Sequence, residues 1–330
     1  MTSTNPPTEY AYFNQQIRPL SECNISIKTH AFMYGTSIFE GIRGYYLEET
    51  NEVAIFRMRE HYERMLANSK LFYLTPEHSL DDLIKITIDL VKKNQATTDI
   101  YIRPTLFKTG TNITPSLVNT DTDFCLFTHP LGNYLDINKG LNVCVSNWRR
   151  VDDNAIPPRT KAAACYMNTA LMVTDARYNG FDDAISINPD GSISEGSAMN
   201  LFLIKDNTLI TPGKTDNILE GITRDTIIQL AKHELGIHTV ERTVDRTELY
   251  LCDEAFFCGT GAQVAGIASI DGRPVGNIKQ NDGQNSALGQ VGPITKQLQT
   301  LYFETVRAQR SPNRAIQDGD RWITRVPLES

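Results

Sequence analysis

Residues 157–170 of the chain read PPRTKAAACYMNTA, and they open the stretch around which the fold is organised. Lys161 lies in the middle of them, after Arg159 and Thr160 and before three alanines. It has no acidic neighbour, and its small flanking residues allow its amine to be desolvated, so surface charge explains it poorly. Glu195 follows thirty-four positions later, in a Ser-Glu-Gly segment that we expect to turn before the apolar, strand-like run LFLI at 201–204.

Lys161 and Glu195 are the pair from which we predict the active site. A desolvated lysine amine can hold an aldehyde covalently, and a carboxylate can keep a pyridine nitrogen protonated. These are the two groups that pyridoxal phosphate chemistry needs most. Two plainer interpretations stay open, namely a solvated surface lysine and a loop carboxylate that caps Ser197 or a nearby amide.

Composition and charge exclude several classes of partner. The 330 residues are enough for two domains, and 40% hydrophobic with 22% charged residues is ordinary for a globular protein. The net charge of −7 argues against a nucleic-acid partner, since the adjacent Arg149 and Arg150 are the nearest approach to a basic stripe. No run reaches the roughly 20 apolar residues of a membrane span.

The cysteines indicate a reducing compartment. All six stand singly, with no CxxC pair and no His/Cys cluster at metal-ligand spacing, so we predict buried thiols and no metal. The N-terminus has no basic region followed by an apolar stretch, so we expect no secretory signal and a cytosolic protein.

Hydrophobic periodicity and turn residues predict an α+β protein, because strands and helices mix irregularly in both halves. We predict a disordered N-terminus at 1–9, a small domain at 10–133, a linker at 134–140 and a large domain at 141–330. The predicted helices cover 59–71, 80–91, 165–178, 223–235 and 293–304. The predicted strands cover 10–13, 16–18, 53–57, 100–107, 124–128, 141–146, 183–188, 199–204, 255–257 and 264–270. The aromatic, Gly-rich 31–44 is expected to turn tightly beside a ligand.

Seven motifs in fixed order resemble one family. They are YGTSIFEGIR (34–43), FRMREH (56–61), YIRP (101–104), TKAAACY (160–166), ISEGSAMNLF (193–202), LEGITRD (219–225) and CGTGAQ (258–263). The chain resembles the branched-chain amino acid aminotransferases, which are class IV aminotransferases of the fold type IV pyridoxal phosphate enzymes. The resemblance implies a small α/β domain, a larger β-barrel-like α+β domain, and an active site at their interface.

The resemblance also implies a reaction and a set of cofactor ligands. Leucine, isoleucine or valine would give its amino group to 2-oxoglutarate in a ping-pong transamination, with a homodimer as the smallest competent unit. Lys161 would hold pyridoxal 5′-phosphate and act as the catalytic base, Glu195 would contact the pyridine nitrogen, and Tyr166 the 3′-oxygen. The phosphate would be held by Arg59, Ile222, Thr223 and Thr260, and helix N-termini are suited to this because their N–H groups point outward.

Substrate residues follow from the same resemblance. Tyr34, which would project into the neighbouring subunit's site, Phe39 and Tyr134 would form the pocket wall, with Leu131 nearby. Tyr101 and the turn at Gly261 and Ala262 would take the α-carboxylate, and Arg103 the distal carboxylate of glutamate. For Tyr34 and Phe39, plain core packing is an equally good explanation.

Some positions depart from the family pattern and leave the substrate range open. Leu131 stands where tryptophan is frequent, Gly261 where alanine is common, Met199 where glutamate is common, and the loop at 108–116 is short. A broader range that includes aromatic amino acids or primary (R)-amines is therefore an alternative. A D-amino acid aminotransferase, an aminodeoxychorismate lyase and a non-enzymatic homologue that binds the cofactor remain as further alternatives.

Overall fold

The computed structural model describes residues 9–132, 139–276 and 289–329. The chain divides into two compact units, one of residues 1–132 with 322–330, and the other of residues 133–321. Most of the predicted linker, 134–138, lies outside the described residues, as do residues 1–8 of the predicted disordered N-terminus. The final nine residues were predicted to be part of the large domain, and the structure corrects this, because their strand pairs within the first unit.

An antiparallel sheet organises the first unit. Its described strands run in the order β17-β5-β4-β6-β7-β1-β2, and β3 also pairs with β6. The strands are β1 (Tyr10–Phe13), β2 (Gln16–Pro19), β3 (Ser37–Phe39), β4 (Ile42–Leu47), β5 (Glu52–Phe56), β6 (Ile100–Lys108), β7 (Thr122–Pro130) and β17 (Ile323–Pro327).

Local sequence explains two features of this sheet. Asn14 and Gln15 join β1 to β2 with positive φ angles of 48° and 61°, the conformation that a tight two-residue hairpin needs. Between β3 and β4, Glu40 and Gly41 interrupt the pairing with β6. Pro104 lies opposite Glu40 and has no N–H to donate, and it only accepts a hydrogen bond from the Glu40 amide.

The α-helices described in this unit are α1 (His30–Tyr34), α2 (Met58–Ser69) and α3 (Leu80–Asn94). Helix α3 begins with a capping box, in which the Ser79 side chain accepts from the Asp82 amide and the Asp82 side chain accepts from Ser79. Acidic residues in its first turn and Lys92 and Lys93 in its last turn complement the helix dipole.

A mixed sheet organises the second unit. Its described strands run in the order β10-β9-β8-β15-β14-β11-β12-β13, and β16 pairs with β15. The β8·β9, β8·β15 and β12·β13 pairs are parallel. The strands are β8 (Leu141–Arg149), β9 (Asp183–Ile187), β10 (Ile193–Gly196), β11 (Asn200–Lys205), β12 (Thr208–Thr211), β13 (Thr239–Glu241), β14 (Glu254–Gly259), β15 (Gln263–Ile270) and β16 (Arg273–Pro274).

The helices of the second unit pack against this sheet. They are α4 (Cys165–Tyr178), α5 (Ile222–Glu234) and α6 (Pro293–Val306). Leu201, Leu203, Phe257 and Ile267 are among the residues at the centre of the hydrophobic core. Glu254 closes the N-terminus of α6, because its carboxylate accepts from the amides of Ile294 and Thr295 at 3.0 and 2.8 Å.

The predicted α+β class is confirmed, and α4 has the predicted bounds. Two local predictions were wrong. Glu195 lies in a short strand, β10, and not in a turn, and the tail contains the strand β17. Within the described ranges, no helix is both long enough and apolar enough to cross a membrane.

Candidate active site

Lys161 follows a single 3₁₀ turn, Pro158–Thr160, and its φ angle is +53°. A residue with a side chain adopts this left-handed conformation at a cost of about 1–2 kcal/mol, so the surrounding structure must impose it. The Thr160 hydroxyl stabilises the turn by donating to the Pro157 carbonyl at 2.6 Å. Nζ of Lys161 lies 3.3 Å from the Tyr166 hydroxyl, in the first turn of α4.

Glu195 is fully buried and its carboxylate is held on both oxygens. Oε1 accepts from the Arg150 guanidinium at 2.6 Å, and Oε2 accepts from the Asn200 side-chain amide at 2.8 Å and the Leu219 amide at 3.2 Å. Burial raises the pKa of Glu195, and the Arg150 charge acts in the opposite direction, with a smaller contribution from Lys161. The carboxylate is therefore oriented, charge-compensated and shielded from water.

Arg150 is a site residue that sequence analysis missed, because it was considered only as half of a basic pair. It directly follows β8, and its amide donates to the Ile187 carbonyl at 2.8 Å. Its Nε donates to the Asn217 carbonyl at 3.2 Å. Two backbone contacts thus fix a buried guanidinium against Glu195, forty-five positions away in sequence. No local pattern in the sequence could have revealed this pair.

The N-terminus of α5 lies beside the residues that hold the Glu195 carboxylate. Gly221 is the N-cap, and as a glycine it has no side chain of its own to cap the helix end. Ile222 and Thr223 form the first turn and are buried. A Cβ at Gly221 would lie 2.1 Å from Oδ1 of Asn200, so only glycine lets the helix start here while Asn200 contacts Glu195. The resulting helix end is suited to an anion.

The turn between β14 and β15 contains Thr260, Gly261 and Ala262. Ala262 is buried, and Gln263 leaves the turn with a φ angle of 60°. A Cβ at Gly261 would have no heavy atom of the described residues within 4 Å apart from its chain neighbours, so the alanine that is common here in the family would fit.

In the first unit, Arg103 lies between two aromatic rings. Its Cζ is 4.2 Å from the Phe39 ring centroid and 5.0 Å from that of Tyr101, and an Nη donates to the Tyr101 hydroxyl at 3.3 Å. Nε of Arg103 is buried and has no hydrogen-bond partner within the described part of the chain. A half-buried guanidinium in this state is suited to an incoming carboxylate.

Gly41 makes room for this cluster. It directly precedes β4, and a Cβ on it would be 2.0 Å from the Tyr101 hydroxyl. The φ angle of Gly41 lies outside the left-handed region, so the backbone conformation does not require glycine here. Glycine is required because the Tyr101 side chain approaches so closely.

The other predicted pocket residues are placed as follows. The Leu131 carbonyl accepts from the buried Arg43 guanidinium at 2.8 Å, which fixes the end of β7. The Tyr34 hydroxyl donates to the Ile113 carbonyl. Tyr134 lies outside the described residues.

Arg59 and Arg64 lie on different faces of α2. The Arg59 side chain is 49% exposed and pairs with Asp81 at 2.9 Å, which is the geometry of a surface ion pair. The Arg64 side chain is 13% exposed and contacts Glu40 at 2.7 Å through both Nε and Nη2. Although burial alone would raise the pKa of Glu40, Arg64 and His61 hold it well below its usual range.

Similarity to known proteins decides the family. The sequence model described as amino-transferase class IV matches residues 37–270, which is more than half of the chain. The chain belongs to the class IV aminotransferases. The match includes Lys161, Glu195 and the Thr260 turn, and the predicted family is confirmed.

Individual class IV aminotransferases are similar over nearly the whole chain. A probable branched-chain-amino-acid aminotransferase of Aquifex aeolicus (strain VF5) is 42% identical over 318 residues, covering 96% of this chain and 97% of the relative. The branched-chain amino acid aminotransferase of Thermobaculum terrenum in its PLP form has a TM-score of 0.87 and 36% identity, with 97% and 99% of the two chains covered. The branched-chain amino acid aminotransferase of Escherichia coli has a TM-score of 0.85 and 34% identity, with 97% and 99% covered.

The side chains and helix end of this aminotransferase's site suit an organic cofactor. Among the residues that the structure describes, no group of three or more His, Cys, Asp or Glu side chains could hold a metal ion. The second unit offers an amine on a fixed turn, a buried carboxylate and the start of a helix, which match the aldehyde, the pyridine nitrogen and the phosphate of pyridoxal phosphate.

Proposed function

We propose that this aminotransferase binds pyridoxal 5′-phosphate and transfers the amino group of leucine, isoleucine or valine to 2-oxoglutarate, in a ping-pong reaction that yields glutamate. The observation that carries the proposal is the buried Glu195, held by Arg150, Asn200 and the Leu219 amide in the unit that also contains Lys161. The names of the relatives support the substrate class.

Each residue of the second unit has a chemical role in this proposal. When bound, the cofactor supplies an electron sink that stabilises negative charge on the substrate α-carbon. Nζ of Lys161 would take the proton from the substrate α-carbon and deliver it to the cofactor's C4′, and the Tyr166 hydroxyl 3.3 Å away positions that amine. Glu195 keeps a proton on the facing ring nitrogen, and Arg150 compensates its charge. The Ile222 and Thr223 end of α5 binds the phosphate, together with Thr260.

The test of this assignment is the visible absorbance of the protein after incubation with pyridoxal phosphate and gel filtration. Wild type is expected to keep the band of a lysine-bound cofactor, and Lys161→Ala to lose both the band and the activity. Lys85→Ala is the control, because Lys85 is an exposed helix lysine paired with Asp89. A colourless wild type would overturn the proposal.

Arg103 is proposed to bind the distal carboxylate of 2-oxoglutarate or glutamate, while Tyr101 takes the α-carboxylate. The buried Nε and the two flanking rings of Arg103 support this role. Arg103→Met is expected to lower kcat/KM for 2-oxoglutarate by about 10–100-fold, because a charge-assisted hydrogen bond is lost. The half-reaction with leucine should change far less, and equal losses for both substrates would contradict the assignment.

For the phosphate cation, Arg59 is the candidate that we propose. Arg64 is the more enclosed arginine of α2, but both oxygens of the buried Glu40 already engage its guanidinium. The pair of Arg59 with Asp81 is exposed, so a phosphate can replace it at little cost. A titration of apoenzyme with pyridoxal phosphate tests this. We expect Arg59→Ala to bind the cofactor more weakly and Arg64→Lys, which keeps a charge beside Glu40, to bind like wild type. The reverse order would contradict the assignment.

A broader substrate range is the second candidate function. It is favoured by the open space around Gly261, and by Leu131 at a position where the family often has tryptophan. A donor panel that includes phenylalanine and an (R)-amine tests it. If the space is used by substrate, Gly261→Ala should reduce activity with the bulky donors and leave valine unaffected.

We further propose a homodimer in the cytoplasm. Leu20, Ile25, Phe32 and Phe127 form an apolar surface, here called the Phe32 surface, around a cavity of about 350 Å³. Phe32 itself is 67% exposed, which is unusual for phenylalanine and suits a second copy of the chain. The six free cysteines suit a reducing compartment.

Light scattering on a sizing column tests the dimer. Phe32→Asp should dissociate it, and Leu71→Asp should not, since Leu71 is equally apolar and 53% exposed but does not line the cavity. A wild-type monomer would refute the proposal.

A further inference from the structure

His30 connects two segments of the first unit through its imidazole. The side chain is fully buried in α1. Nδ1 lies 2.7 Å from the Thr36 hydroxyl, and Nε2 lies 3.1 Å from the Thr114 carbonyl. Thr36 directly precedes β3, which contains Phe39, and Thr114 lies in the loop of residues 109–121 between β6 and β7. We call this segment the 109–121 loop.

The chemistry of the partners fixes the hydrogen-bond directions. A backbone carbonyl can only accept, so Nε2 of His30 must carry the hydrogen that the Thr114 carbonyl receives. In the neutral ring Nδ1 is then an acceptor, and the Thr36 hydroxyl donates to it. Both ring nitrogens are therefore used, and neither is exposed to water.

Helix α1 holds the 109–121 loop at two further points. The His30 amide donates to the Gly110 carbonyl at 2.7 Å, and the Tyr34 hydroxyl donates to the Ile113 carbonyl. The rings of His30 and Tyr34 also meet edge to face, with centroids 4.8 Å apart. The imidazole is thus the support of the Tyr34 ring as well as of the loop.

The base of the 109–121 loop is fixed independently. The Thr109 amide donates to the Asp121 carbonyl at 3.0 Å. Lys108 is buried, and its Nζ donates to the carbonyls of Tyr73 and Thr120 at 2.6 and 3.0 Å. With the base held in this way, the contacts of α1 decide the position of the loop tip, where the Ile113 side chain is 80% exposed.

We propose that His30 is a positioning residue for substrate selection: it holds the 109–121 loop and the Tyr34 ring in one fixed arrangement. The proposal rests on the transaminase function proposed above and on the role that the family resemblance implies for Tyr34, whose ring would line the pocket of the neighbouring subunit. The Tyr34 hydroxyl donates its hydrogen to the Ile113 carbonyl, so Tyr34 offers substrate the apolar surface and shape of its ring and no hydrogen-bond donor. Loosening His30 changes that shape while the residues of the chemical step stay intact.

Two conservative variants separate this role from a general effect on folding. In His30→Gln the side-chain amide can reach the Nε2 position and still donate to the Thr114 carbonyl. In His30→Asn it reaches only the Nδ1 position beside Thr36, so the loop contact is lost. Hydrogen exchange of residues 109–121 is therefore expected to rise about tenfold or more in His30→Asn, as for one lost buried hydrogen bond, and to return towards wild type in His30→Gln.

Steady-state kinetics supply the second readout. We expect the ratio of kcat/KM for leucine to that for 2-aminobutyrate to fall about tenfold in His30→Asn, since a displaced pocket wall discriminates size less well. The visible absorbance of the bound cofactor should not change. His30→Gln should restore the ratio. If the imidazole ring only filled space, His30→Gln would not be expected to restore it.

Tyr34→Phe provides a test even if the histidine variants fold poorly, because it removes only the hydroxyl that holds Ile113. It should also speed exchange in the 109–121 loop and shift the donor ratio in the same direction. The proposal would be overturned if His30→Asn and Tyr34→Phe both kept the hydrogen exchange and the donor ratio of the wild type. It would also be overturned if exchange became faster evenly over the first unit and His30→Gln did not restore it. If the wild type proved inactive with every donor, the proposed function would fail, and the exchange data would still decide whether His30 holds the loop.

Discussion

Replacing Gly41 by alanine is expected to impair substrate binding without affecting the cofactor. The added Cβ would lie 2.0 Å from the Tyr101 hydroxyl and 2.7 Å from its Cζ, whereas ordinary contact begins at 3.4 Å, so the phenol must retreat by about 1.4 Å. The ring is rigid, and it can retreat only by leaving its rotamer or by shifting β6. Off-rotamer strain costs about 0.5–1.5 kcal/mol and overpacking about 1–3 kcal/mol.

The displacement would extend to Arg103. Its hydrogen bond to the Tyr101 hydroxyl is 3.3 Å long, so a retreat of this size breaks it, and the ring contact at 5.0 Å weakens. A hydrogen bond from a charged group contributes about 1.5–3 kcal/mol, and each 1.36 kcal/mol corresponds to a factor of ten in rate. We therefore expect kcat/KM for 2-oxoglutarate to fall by about 10–100-fold.

Single-turnover kinetics with each substrate provide the assay, and the absorbance of the bound cofactor provides the internal reference. That absorbance should stay unchanged, because Lys161 and Glu195 belong to the other unit. Gly132→Ala is the matched control. It makes the same substitution in the same unit, but its Cβ would have no heavy atom of the described residues within 4 Å apart from its chain neighbours.

Two results would refute this reasoning. If Gly41→Ala kept wild-type kcat/KM for 2-oxoglutarate, the position of Tyr101 would not matter for the reaction. If Gly132→Ala caused an equal loss, the effect would come from reduced backbone freedom and not from the contact with Tyr101.

Three other substitutions test the buried charges and the start of α5. Arg150→Met should raise the pKa of Glu195 further and cost about 3–5 kcal/mol of stability, since it leaves a buried carboxyl without its ion-pair partner. The pH profile of kcat checks the pKa, and denaturant unfolding checks the stability. Arg150→Lys should recover part of each loss. The pKa of Glu40 is lowered on folding, so its ionisation stabilises the protein at pH values above the unfolded-state pKa of about 4.3, and this stability is lost as the pH falls. Glu40→Gln should therefore lower the stability at neutral pH and flatten its decline below about pH 5. Urea unfolding at a series of pH values measures both effects. Gly221→Ala should push Asn200 away from Glu195, lowering stability by about 1–3 kcal/mol and weakening cofactor affinity; unchanged affinity in a fluorescence titration would contradict this contact.

Elements determined by local signals could be predicted from the sequence. Helix α4 ends where Asn179 and Gly180 follow a helical pattern, and the β1–β2 hairpin turns at Asn14 and Gln15. Strand β17 was missed, because it pairs with β5 about 270 positions earlier and its short, mixed sequence has no strand signal of its own. The strand character of Glu195 was missed because a Ser-Glu-Gly segment is typical of a turn, and pairing of β10 with β9 overrides that preference.

By itself, the sequence determined the family and the residue types that a cofactor site needs, because Lys161, Glu195 and the helix start at Gly221 are encoded in contiguous motifs. The tertiary structure alone decided which charges meet. It pairs Arg150 with Glu195 and leaves Arg59 on the surface with Asp81. The physical reason is that burial and Coulomb interaction depend on distances through space, which chain folding sets between residues far apart in sequence.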